Sequence, residues 1–222
     1  ATFAYACAML NMKRNVGLMA ACQAPMMTAN VLLITTSALV GKQLAAPQGL
    51  PESLATLPLA IQFLATMLTT IPASLLMKQL GRRAGFLLGG GAGLMGAALA
   101  CYAIAQQSFV LFALATALFG VNNGFGTYYR FAAADSATPD YRATAISYVM
   151  AGGVVAALLG TNLASWTREL LAYAPFAGSY LVLIGLYTLS LAAVTFIRIP
   201  RLDAATRQQS GRPLRQIIAQ KT

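Results

Sequence analysis

Long, almost charge-free apolar stretches alternate along this chain with short polar gaps. Six of them, at residues 16–40, 54–77, 86–105, 109–131, 145–166 and 176–197, hold about 20 residues or more each. At 1.5 Å per residue an α-helix of that length crosses roughly 30 Å of hydrocarbon. The pattern predicts an all-α fold: a polytopic membrane bundle of six transmembrane helices.

The spans divide into two sets of three, residues 16–105 and 109–197, joined by the uncharged link Gln106–Gln107–Ser108. An odd number of spans per set makes the second enter the membrane from the opposite side, which is the geometry of a 3+3 inverted-topology repeat. The whole of residues 1–198 reads as one six-helix domain. Residues 199–222 turn polar and basic, with Pro200 and Pro213 as breakers, and read as a basic cytoplasmic tail or inter-half loop. Within it Arg212, Arg215, Ile217 and Ile218 suggest a short helix at the membrane surface. At the other end the first residue is Ala1, so the sequence is processed, truncated or partial. Residues 1–11 are apolar, but their positive residues follow them instead of preceding them, which fits a short interfacial lead-in better than a secretory leader.

Charge sets the orientation. Thirteen of the fifteen Lys and Arg residues fall on one side of the predicted membrane, and Lys42 and Arg168 fall on the other. Cytoplasmic loops collect Lys and Arg, so both termini are expected in the cytoplasm of a cell whose inner membrane holds the protein. The net charge of +10 is then a topology signal and not a nucleic-acid footprint. With 58% hydrophobic and 9% charged residues, a water-soluble fold would have more apolar surface than it could bury. The chain has no His, and Cys7, Cys22 and Cys101 are scattered and read as small apolar fillers. That composition gives no constellation for a metal, a cofactor or an enzyme's nucleophile and base.

One gap carries a motif. Between the second and third spans stands Ser74-Leu-Leu-Met-Lys78-Gln-Leu-Gly81-Arg82-Arg83. It resembles the signature of the major facilitator superfamily at the same place, Gly-x-x-x-Asp-Arg-x-Gly-Arg-Arg, with Gly81, Arg82 and Arg83 matching. Between the fourth and fifth spans, Tyr128-Tyr129-Arg130-Phe131 leads to Asp135, then Pro139-Asp140-Tyr141-Arg142-Ala143. This is similar to the superfamily's carboxylate at the end of helix four and its Pro-x-x-Arg-Ala run opening helix five. The resemblance covers the whole chain and matches an amino-terminal six-helix half. It implies a cytoplasmic charge cluster of Gly81, Arg82, Arg83, Arg130, Asp135 and Arg142. It does not reach two other signatures, since Thr116 stands where an Arg is frequent and Thr161 where antiporters carry Pro after Gly160.

Polar side chains inside a span need partners or a water-filled cavity, so they are the pathway candidates. They are Gln23 and Asn30 in the first span, Gln62 with Thr66, Thr69 and Thr70 in the second, Asn122, Asn123 and Tyr128 in the fourth, and Asn162 in the fifth. The resemblance assigns these same spans to a central cavity. Runs of Gly in the third, fourth and fifth spans mark close helix packing, with a hinge at Gly120-x-x-x-Gly124 or Gly152–Gly153 as the alternative. No Asp or Glu lies at mid-depth, and a neutral amide and hydroxyl lining suits a small organic solute. Two functions follow: half of a solute carrier working by alternating access, or a non-transporting accessory subunit of a larger membrane complex. The expected partners are a second six-helix half, another copy or other subunits, together with lipid.

Overall fold

The computed structural model describes residues 2–168, 170 and 176–196, with side chains from residue 12 onward. The expected surface helix and the tail at 199–222 lie outside the described residues. The described helices are α1 Thr2–Ala45, α2 Leu57–Leu80, α3 Arg82–Ala105, α4 Phe109–Gly126, α5 Tyr129–Asp135, α6 Arg142–Thr167 and α7 Ala177–Phe196. Six spanning segments are long and apolar enough to cross a membrane, with α4 and the short α5 forming one of them. The fold is an all-helical membrane bundle.

Two boundaries differ from the sequence reading. The lead-in before residue 12 is no separate element but the start of α1, because no Gly or Pro interrupts the chain before Gly17. The fourth span does not run unbroken to Phe131. Helix α4 ends at Gly126, Thr127 and Tyr128 form a turn, and α5 resumes at Tyr129. Gly124 and Gly126 weaken the helix there, and the Thr127 hydroxyl donates to the Gly124 carbonyl at 2.9 Å.

Helix pairing follows the inverted repeat. The largest interfaces are α1 on α6 and α2 on α4; α3 packs on α4, α7 packs on α1, and α3 packs on α7. Exchanging α1, α2 and α3 for α4, α6 and α7 carries α1–α6 onto α4–α2, carries α1–α7 onto α4–α3, and returns α3–α7 to itself. Span count alone motivated the repeat, and the packing now repeats with it.

Both large interfaces close on glycine. A side chain at Gly120 would run into the Gln62 backbone carbonyl and stand 2.6 Å from the Ala65 Cβ, and one at Gly160 would lie 2.8 Å from both the Thr28 carbonyl and the Val31 Cβ. Lipid offers no hydrophobic drive for helix association, so this backbone approach supplies the contact. At Gly81, between α2 and α3, φ is 90°, a conformation that other residues rarely adopt.

The core has two apolar layers stacked along the bundle axis. One gathers Leu32, Leu33, Leu44, Ile104, Phe112, Phe119, Tyr180 and Tyr187 near the α1–α2 and α3–α4 connections. The other gathers Met19, Met26, Met77, Phe86, Phe125, Tyr129 and Val194 near the Arg82 end. The polar side chains of α1, α2 and α4 sit at the level where these layers meet.

Candidate functional site

Three helices meet at one amide. The Asn30 Oδ1 of α1 accepts from Gln62 Nε2 of α2 at 2.9 Å and from Asn123 Nδ2 of α4 at 2.8 Å. Both carbonyl lone pairs of Asn30 are thereby used, and three sequence candidates become one node. Gln62 is fully buried and its Oε1 has no hydrogen-bond partner. The threonines beside it do not join. Thr66 donates to the Gln62 carbonyl and Thr70 to the Thr66 carbonyl, within their own helix, while Thr69 packs its methyl near Gly124. The polar stripe of α2 therefore faces α4.

A cavity of about 150 Å³ lies between α1, the α4–α5 turn and α6, lined by Gln23, Met27, Thr127, Arg130, Val149, Met150 and Gly153. Gln23 and Arg130 each stand seven residues from a node residue, Asn30 and Asn123, so the cavity sits about 10 Å along the axis toward the Arg82 end. The Gln23 side chain is nearly buried with Oε1 unpartnered. Arg130 is exposed, with its guanidinium 5.0 Å from the Phe131 ring centroid.

The remaining candidates point elsewhere. Asn122 turns away from the node and donates to the Tyr187 hydroxyl of α7 at 3.3 Å, in a buried contact beside Gly93. Tyr128 donates to the Thr70 carbonyl at 2.8 Å and so ties the α4–α5 turn to α2. Asn162 is exposed and donates to Leu158 of its own helix at 2.7 Å. Among the glycines Gly152 touches α1 at Ala20 and Ala24, whereas Gly153 faces open space.

At the other level of the bundle, Arg82 pairs with Asp135 and links the start of α3 to the end of α5. Arg83 donates to the Thr195 carbonyl of α7 at 2.8 Å. Arg142 opens α6 and is exposed, and Arg130 lies at the cavity. The charge cluster is thus narrower than the six residues assigned to it, being centred on Gly81, Arg82, Arg83 and Asp135. At the opposite end Lys42 pairs with Glu52 at 2.7 Å, and Gln48 Nε2 donates to the Gln107 carbonyl at 2.6 Å.

A Gly-turned pair of cations between the second and third spans, of which Arg82 is held to a carboxylate at the end of the fourth, is an arrangement that a sequence family can carry. The family model of the Major Facilitator Superfamily matches residues 16–221. The chain belongs to the major facilitator superfamily. It is also 36% identical over 208 residues to a riboflavin transporter, RfnT, of Brucella anthropi, an alignment that takes in 93% of this chain and 51% of that protein. The chain therefore spans about half the length of that relative.

Sequence reasoning missed Met27, Thr127, Val149 and Met150 as cavity residues. Three are apolar and look like any core or lipid-facing side chain. Thr127 carried a weak signal, a hydroxyl beside two glycines at the end of a span.

Proposed function

We propose that the chain is one six-helix half of a secondary transporter that moves a small organic solute by alternating access, the solute being riboflavin or a close chemical relative. The observation that carries this reading is the polar level shared by α1, α2 and α4. Asn30, Gln62 and Asn123 form a neutral amide node, and the Gln23 cavity lies next to it, with no carboxylate in either. Such a lining suits a solute bound by hydrogen bonds and apolar contact. The name of the Brucella relative supplies the solute class.

The transport reading needs a second module against the α1, α2, α4 and α6 side, either another six-helix half or a second copy, with solute between them. It sets the protein in the inner membrane with both ends cytoplasmic, on the thirteen-to-two distribution of basic residues. Uptake of labelled riboflavin by a riboflavin-requiring bacterium tests it. Cells carrying the complete transporter should accumulate label well above cells lacking it. Uptake equal to the control, for riboflavin and for a panel of small organic solutes, would favour the accessory-subunit reading.

A further inference from the structure

The cavity between α1, the α4–α5 turn and α6 is rich in hydrogen-bond donors that have nothing to donate to. Gln23 is 6% exposed with Oε1 turned into the protein, and its amide donates to no described residue, so it can meet the cavity only through the Nε2 hydrogens. Arg130 adds a guanidinium, which is a donor alone, and it pairs with no carboxylate among the described residues. Thr127 commits its hydroxyl hydrogen to the Gly124 carbonyl. The rest of the wall is Met27, Val149, Met150 and the bare face of Gly153, where nothing lies within 4 Å of an added Cβ. A volume of about 150 Å³ accommodates one six-membered ring.

A group that completes this wall brings acceptors to Gln23 and Arg130 and an apolar body to Met27, Val149 and Met150. Inorganic phosphate, or the phosphate of a lipid, would supply the acceptors but would give up its hydration against three apolar side chains and a bare glycine. A ring that bears its own acceptors suits both parts of the wall. We infer that this cavity is the subsite for an acceptor edge of a heteroaromatic solute, a ring nitrogen lone pair with a carbonyl oxygen beside it. The Gln23 Nε2 donates to the ring nitrogen, and the Arg130 guanidinium donates to the carbonyl, the more negative of the two acceptors. This rests on the transport reading and adds to it the part of the solute that is held, the place where it is held, and the residues that hold it. The amide node about 10 Å away is then free to contact a different part of the same molecule.

Equilibrium binding to the purified complete transporter tests the subsite, using riboflavin, 1-deazariboflavin and 5-deazariboflavin. Riboflavin has two such edges, N1 with the C2 carbonyl and N5 with the C4 carbonyl, and each analogue replaces one of these nitrogens by C–H. At least one analogue should bind about tenfold more weakly than riboflavin. Gln23→Leu should weaken riboflavin about tenfold and erase that difference. Arg130→Leu, at an exposed position, should weaken all three compounds about tenfold while the thermal midpoint holds, and it decides the matter if the Gln23 variant fails to fold. Equal affinity for all three compounds, a difference that survives Gln23→Leu, or undiminished binding by Arg130→Leu would overturn the assignment and leave riboflavin transport standing. So would displacement of riboflavin by millimolar inorganic phosphate or by phosphatidylglycerol, either of which would make the cavity an anion site. Riboflavin that fails to bind at all overturns the solute reading and the subsite with it.

Discussion

Asn122 and Asn123 are chain neighbours with different work. One residue turns an α-helix by about 100°, so Asn123 reaches the node with Asn30 while Asn122 reaches the Tyr187 hydroxyl behind it. Asn122→Leu leaves that buried hydroxyl without its donor and should cost about 1–3 kcal/mol, read as a lower thermal midpoint of the purified protein. Asn30→Leu strands two donors at once, Gln62 Nε2 and Asn123 Nδ2, and should cost at least as much. The sequence showed which residues were polar inside apolar spans. It did not separate Asn122 from Asn123, because both lie within one turn and only the position of α7 decides which meets a hydroxyl. Asn162 illustrates the same limit, since an amide in a span can also bond its own helix.

At the scale of elements, glycine sets how closely helices approach. Gly120→Leu would force a side chain into the Gln62 carbonyl, and Gly160→Leu one into the Thr28 carbonyl. Each should destabilise the bundle by about 3 kcal/mol, read as a lower thermal midpoint; the two interfaces correspond in the repeat, although Gly120 lies on α4 and Gly160 on α6. Gly153→Ala faces open space, so it should leave the midpoint level or raise it by up to about 1 kcal/mol of helix propensity. The Arg82–Asp135 pair, whose carboxylate side chain is about half exposed, should contribute less than about 1 kcal/mol and weaken as salt rises. Thermal midpoints of Asp135→Asn at low and high ionic strength check this. The packing role of these glycines was legible as runs of small residues inside the spans. The break between α4 and α5 was not, because Gly124 and Gly126 before it read equally well as close-packing positions inside a span.

Over the whole molecule, six spans and their charge asymmetry were legible because both rest on length and composition, which a bilayer constrains tightly. The apolar lining of the Gln23 cavity was not, since Met27, Val149 and Met150 share their chemistry with the lipid-facing surface. Topology is checked by cysteine labelling, with positions 82 and 168 expected to react from opposite sides of the membrane. The central claim, that the amide node lies on the path of a solute, is tested most directly by riboflavin uptake per transporter molecule in Asn30→Leu and Asn122→Leu side by side. The account predicts at least a tenfold loss for Asn30→Leu and uptake near the unsubstituted level for Asn122→Leu, each normalised to protein in the membrane. Undiminished uptake per molecule in both variants, with both less stable, would contradict it and make the node a packing device.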